Sequence, residues 1–126
     1  MRQTSTTVYG SQEKLRLIAG DHFIALPMKI KKADVASLLN TDEVLKAGKL
    51  VTSGGKVVTT TSTTSDAYGI IYQDVNFKNS MADDNGDVYE VGAVLIHGVV
   101  YESAIGLDAT NSAVEKAALK QIIFGA

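Results

Sequence analysis

One stretch of this chain, Ala93–Tyr101, reads as a β-strand that is apolar on both of its faces. Side chains alternate between the two faces of a strand. This alternation predicts one face made of Val94, Ile96 and Val100 and another made of Leu95, Val99 and Tyr101. An antiparallel strand in a small single-sheet domain normally has one polar face. We therefore expect this strand to lie between two layers or to have its outer face covered by another subunit.

Further short runs rich in Val, Ile, Tyr and Thr, punctuated by glycine, fill residues 47–105 and are typical of strands. Two turns separate runs of this kind. Ser53–Gly55 is a hairpin-type turn, and Asp83–Asp87 contains the Asn-Gly pair typical of a hairpin tip. The pattern predicts a packed β scaffold that works by binding something.

Helical signals are few and short. Asp34 is placed to cap a turn that runs to Leu39, and Thr41 is placed to cap a second turn that ends at Gly48. Ser112 and Glu115 have the spacing of a capping box. The spacing of apolar residues after them predicts one amphipathic helix over 112–120, with a strand at 122–124.

The first 32 residues differ from the rest of the chain. They carry a net charge of +4, whereas residues 33–126 carry −6, which favours an arm (1–32) distinct from an acidic β-rich domain (33–126). The arm contains an extended apolar stretch whose only proline excludes a central ladder position, so it is an edge strand or a free arm. An extended apolar segment of this kind is suited to adding to the sheet edge of another protein. The candidate binding residues are Phe23, Ile24, Leu26, Pro27, Met28 and Ile30.

No combination of residues predicts catalysis, a metal site or a cofactor. The chain has no cysteine and two histidines, His22 and His97, that no motif links to a nucleophile. We interpret His97, inside the most apolar strand, as a buried or interface histidine that makes a structural hydrogen bond. The acidic turn fails as an EF-hand loop, because aligning Gly86 with the required glycine puts Met81 and Gly92 at acidic ligand positions. We expect a non-enzymatic protein.

Composition bears on the partners. The basic arm lacks interleaved aromatic residues and the body is acidic, which argues against direct nucleic-acid binding. No apolar run approaches the roughly 20 residues of a membrane helix, and Met1–Gly10 has no apolar core for a secretory signal. We therefore expect a protein that folds in a cytoplasm and binds no membrane.

The order of three β motifs resembles the capsid-decoration (head-stabilising) proteins of tailed bacteriophages, the family that includes the lambda head-decoration protein. The motifs are Lys46–Leu50, Gly69–Val75 and Ala93–Val100, and the resemblance covers about Glu43 to Ile105. Each motif alone carries little information, so the resemblance depends on their order and spacing.

The resemblance implies a mainly β (α+β) fold with a small barrel-like sheet, short helical turns, one C-terminal helix and an extended N-terminal arm. It also implies a homotrimer on the outer surface of an expanded capsid, made in the host cytoplasm, that stabilises the head against the pressure of packaged DNA. The major capsid protein is then the partner of the arm residues. Candidate residues for the trimer interface are Leu95, His97, Val99 and Tyr101.

Two other functions stay open at this point. One is another phage structural module, such as a head-fibre or tail component. The other is a small ligand-binding β-barrel, which the lack of candidate chemistry disfavours.

Overall fold

The structure, a computed structural model, describes residues 22–125. Within them the chain is mainly β with a single short α-helix near the C-terminus, as predicted. The strands are β1 (Ile24–Lys31), β2 (Val44–Leu45), β3 (Leu50–Val51), β4 (Gly69–Ile71), β5 (Val75–Asn76), β6 (Tyr89–Tyr101) and β7 (Ile122–Gly125). Helix α1 is Ser112–Ala118, and 3₁₀ turns occupy Lys32–Leu38 and Glu102–Ala104.

The 13-residue strand β6 organises the main sheet. The strand order is β1-β6-β4-β3, and all of these neighbours are antiparallel. Strand β7 runs parallel to the last four residues of β6. Strands β2 and β5 form a separate two-stranded ribbon.

Two apolar clusters lie on opposite sides of β6, and β6 contributes to both. Cluster 1 consists of Ile30, Val35, Leu45, Val51, Ile71, Val75, Phe77 and Val94. Cluster 2 consists of Leu50, Ala67, Ile70, Leu95, Val100, Ile105, Leu119 and Ile122. The part of β6 around Val94 and Leu95 is therefore apolar on both faces because it lies between two layers of its own chain, which is the first of the two predicted arrangements.

The main sheet does not close into a barrel within the described residues, since β1 and β3 have no ladder between them. The turn that follows β3 nevertheless returns to β1. A Cβ placed on Gly55 would lie 3.4 Å from both the Lys29 carbonyl oxygen and the Met28 sulfur. The resemblance implies a barrel-like sheet, whereas the structure has an open sheet. The turn after β3 packs against β1 across the gap between these two strands.

The predicted arm overlaps the described part of the chain at residues 22–32, and Ile24–Lys31 is strand β1. It pairs with β6 from Tyr89 to His97, and Ile30 is fully buried in cluster 1. Of the two predicted alternatives, this stretch is an edge strand. The predicted boundary after residue 32 needs correction here, because β1 belongs to the same sheet as the rest. Residues 1–21 lie outside the described residues.

The second predicted helical turn, from Thr41 to Gly48, is wrong. The Asn40 side-chain oxygen accepts hydrogen bonds from the backbone N–H groups of Asp42 and Val44, which closes a turn there. The chain then enters β2, which pairs with β5. Tertiary pairing thus overrides a weak local helix signal, as is common for segments of two turns.

Candidate functional site

A β-bulge in β6 determines which side chains reach the surface. Ala25 pairs with Leu95 but Ile24 pairs with His97, so Ile96 is an extra residue in β6. Such an insertion changes the alternation of side chains beyond it. Leu95 and Val100, which simple alternation puts on opposite faces, both pack in cluster 2. The predicted grouping of Val100 with Val94 and Ile96 is therefore wrong.

Gly98 makes this geometry possible. Its φ is +147°, and a Cβ at this position would lie 2.9 Å from the Cβ of Phe23. Phe23 packs against cluster 2 and contacts Tyr72, with 5.3 Å between ring centroids. A glycine therefore lets the chain before β1 cross close to β6 just after the bulge.

Beyond the bulge, one side of the sheet carries an exposed set of apolar side chains that we call the apolar face. Its members follow from pairing, because cross-strand partners share a face. Ile24 is opposite His97 and Leu26 is opposite Val94. Val99 is beside Ile123, and Tyr101 follows Val99 by two residues. The apolar face consists of Ile24, Leu26, His97, Val99, Tyr101 and Ile123.

This face is the main exposed apolar feature of residues 22–125. Eight large apolar side chains are exposed there, and four of them belong to the face. Ile123 is 65% exposed, Ile24 47%, and Leu26 and Tyr101 42% each. No member carries a formal charge at neutral pH. Contiguous exposed apolar surface of this kind marks interaction sites in soluble proteins.

The structure divides the six predicted arm residues among different environments. Ile24 and Leu26 lie on the apolar face and Pro27 is exposed on the same strand. The others face the protein itself. Phe23 packs on cluster 2, Met28 on cluster 1, and Ile30 is inside cluster 1.

Three of the four predicted interface residues also belong to the apolar face, namely His97, Val99 and Tyr101. Leu95 does not, because it is 2% exposed within cluster 2. A side chain buried by its own chain offers no surface to another subunit, so this assignment is corrected. Ile123 was missed by the sequence reasoning, although alternation along 122–124 carries the signal.

Pro27 occupies a backbone position that tolerates the loss of an N–H group. The Lys32 N–H donates to the Val88 carbonyl at 2.8 Å, which fixes the hydrogen-bonded pairs of β1 with β6 as the even-numbered residues of β1. The backbone of Pro27 therefore points away from β6. This edge position is the one the sequence predicts for a proline in a strand.

The two histidines meet at the border of the apolar face. The ring centroids of His22 and His97 are 5.0 Å apart, with 58° between the ring planes. His97 is half-buried and His22 is exposed. The structure thus gives His97 a ring contact that the sequence did not predict.

Glu115 is the one buried charged side chain of the described residues, at 5% exposure. Its carboxylate accepts hydrogen bonds from the Thr60 hydroxyl and the Asp108 backbone N–H, each 2.6 Å long. The predicted capping box with Ser112 is therefore wrong. Glu115 instead joins α1 to the Thr/Ser loop and to the loop before the helix, which is a structural role.

Other polar groups are also engaged within the chain. A surface groove of about 580 Å³ is lined by Glu102, Asp108, two serines and apolar neighbours. Lys116 donates to Glu102 at 2.6 Å, and Asp108 accepts the Asn111 N–H at 2.7 Å. Among residues 22–125, no three His, Asp or Glu side chains are grouped to hold a metal ion. The acidic turn is a hairpin tip in which Asp83 accepts two backbone N–H groups.

The resolved electrostatic effects lie away from the apolar face. Lys32 donates a hydrogen bond to Glu43, and this bond together with the lysine charge lowers the pKa of that carboxyl. Asp87, 3.4 Å from the Lys31 ammonium, raises the pKa of that lysine. The face itself is electrically neutral, so its association with another surface depends on apolar burial.

Comparisons with family models, curated proteins and solved structures found no match. In the described part of the chain, no helix has the length and apolar character needed to cross a membrane.

Proposed function

We propose that this protein is a non-enzymatic capsid-decoration protein of a tailed bacteriophage. In this proposal it binds the outer surface of an expanded head as a homotrimer, with the major capsid protein as partner, and stabilises the head against the pressure of packaged DNA. The β-motif order of the sequence supports the proposal. The observation that carries it is the exposed apolar face formed by β1, β6 and β7.

The apolar face serves as the contact between copies. It combines residues from the two sets derived from the sequence, Ile24 and Leu26 from one and His97, Val99 and Tyr101 from the other. Fully burying one large aliphatic side chain contributes about 1.5–3 kcal/mol. Four half-exposed side chains per copy therefore supply several kcal/mol, which suits an association that needs no charged groups.

Trimer formation then makes capsid binding multivalent. Three copies held together present three copies of the N-terminal segment that the sequence predicts to bind the capsid. Once one segment has bound, the second and third bind within the same complex. Linking of this kind raises apparent affinity by about two or more orders of magnitude without any new contact. It also makes binding depend on the spacing of capsid subunits, since all three segments engage only where that spacing fits.

The test compares variants in solution and on purified expanded heads of the phage that encodes the chain. Ile123→Asp places a charge at the most exposed side chain of the apolar face, and Met81→Asp is the matched control because Met81 is 89% exposed and off the face. We expect wild type and Met81→Asp to have trimer mass and to sediment with heads. Ile123→Asp is expected to be monomeric and to lose head binding by at least tenfold.

The outcomes separate the two parts of the proposal. A wild-type protein that does not bind expanded heads overturns the decoration function. An Ile123→Asp protein that stays trimeric and binds normally overturns the role of the apolar face. The alternatives of a head-fibre or tail component and of a ligand-binding barrel have no specific support in the described residues.

A further inference from the structure

The fold brings together the only two histidines of the chain, which are far apart in the sequence. His22 precedes β1 and His97 follows the bulge residue of β6. Their ring centroids lie 5.0 Å apart. Because His97 is opposite Ile24 on the apolar face and the His22 ring contacts it, this imidazole pair lies at the border of the surface that the proposed docking buries.

Within the described strands β1, β6 and β7, the side chains of the apolar face include no acidic group. Ile24 and Leu26 of β1, Val99 of β6 and Ile123 of β7 have side chains that carry no charge. Apart from Tyr101, the other ionisable groups on these strands lie elsewhere. Lys29, Lys31 and Tyr89 are on the opposite side of the sheet, Glu90 is bonded to Ser80 near the start of β6, and β7 has none.

We propose that proton binding to His22 and His97 controls docking of the apolar face, so that the face docks with both imidazoles neutral and is released when they are protonated. This inference rests on the proposed docking function. Imidazole is the side chain that ordinarily changes charge between pH 5 and 8. A charged imidazolium is disfavoured by burial, and two of them at this separation also repel each other.

The linkage between proton binding and association determines how strongly docking depends on pH. When the free surface holds a proton that the docked surface does not, the association constant falls tenfold per pH unit on the acid side of the titration. When both histidines of a copy lose their protons on docking, the association constant for that copy falls by up to a hundredfold per pH unit. Docking is therefore expected to be tight at pH 8 and to weaken towards pH 5, across the range in which imidazole ordinarily changes charge.

The experiment measures trimer dissociation of the full chain by analytical ultracentrifugation from pH 8 to pH 5, with circular dichroism at each pH to confirm that the chain stays folded. The double variant His22→Gln/His97→Gln keeps neutral polar side chains and is expected to associate equally at every pH. The control Glu43→Gln removes a titrating group that lies off the face, and it is expected to keep the wild-type pH profile.

Each result bears on a defined part of the inference. A wild-type trimer that is equally stable at pH 8 and pH 5, or a double variant that retains the acid dissociation, overturns proton control and leaves docking in place. A chain that is monomeric at every pH overturns the docking itself, and proton control with it.

Discussion

At the scale of single residues, Gly98 controls the apolar face because it fixes the path of β6 after the bulge. Replacing it with alanine forces a residue with a Cβ into a φ of +147° and within 2.9 Å of the Phe23 Cβ. We expect Gly98→Ala to lower the free energy of unfolding by about 2–4 kcal/mol, from backbone strain and overpacking together. Chemical denaturation measures this change.

Gly86 is the matched control for that substitution. It also has a positive φ, +83°, but a Cβ there has no atom within 4 Å. Gly86→Ala should therefore cost only the backbone term, about 1 kcal/mol. Equal effects of the two substitutions would show that the close approach of Phe23 to β6 is unimportant.

Glu115 supplies a second prediction at this scale. Glu115→Gln keeps the shape of the side chain but replaces one acceptor oxygen with an amide group, beside two donors. We expect a loss of about 1–3 kcal/mol in unfolding free energy. Glu102→Gln, at a part-exposed ion pair with Lys116, should cost less than about 1 kcal/mol. A smaller effect at Glu115 than at Glu102 would contradict the structural role of the buried carboxylate.

The pKa of Glu43 gives a pH-dependent prediction. Because Lys32 lowers the pKa of Glu43 in the folded chain, the carboxylate stabilises the fold above its ordinary value of 4.5 and loses this effect as pH falls through the lower folded value. Glu43→Gln should therefore lower the melting temperature slightly at pH 6, and the difference from wild type should shrink towards pH 3. A difference that grows on acidification would contradict the assigned direction.

At the scale of elements, β1 is the strand whose predicted role, a binding arm, differs most from its place in the structure. Deleting residues 1–32, the whole of the predicted arm, removes β1 and with it the fully buried Ile30. We expect this deletion to abolish cooperative thermal unfolding. A deletion of residues 1–21 keeps every described contact and should unfold cooperatively like wild type.

Head binding by the shorter deletion then tests the remaining arm without disturbing the sheet. Loss of binding by a folded chain lacking residues 1–21 would assign capsid contact to that segment. Normal binding would assign it to the described part of the chain. A folded, cooperative protein after deletion of residues 1–32 would contradict the place of β1 in the core.

Several elements were predicted correctly from the local sequence pattern, and the wrong predictions have definite physical causes. Pro27 predicted an edge strand, and the Asn-Gly turn and β7 also appeared as expected, since each has a strong local signal. The turn after Thr41 failed because pairing of β2 with β5 outweighs a weak helix signal. Leu95 was wrongly grouped with Val99 and Tyr101 because the extra residue that follows Leu95 in β6 moves every later side chain to the other face. Nothing in the local pattern indicates a bulge.

At the scale of the whole molecule, residues 22–125 form two buried apolar clusters and leave the apolar face exposed. Along β6, Val94, Leu95 and Val100 are buried by the chain itself, whereas His97, Val99 and Tyr101 belong to the apolar face. The surface left for association is formed where β1, β6 and β7 meet. Its neutrality means that raising the salt concentration should not weaken association, in contrast to contacts between exposed charges.

The most direct measurement is a cryo-electron microscopy map of expanded heads incubated with the full-length protein. The account predicts three copies at each occupied position, with Ile24, Leu26, Tyr101 and Ile123 buried between neighbouring copies. Bare heads at saturating protein concentration, or bound copies whose apolar faces all point to solvent, would contradict it.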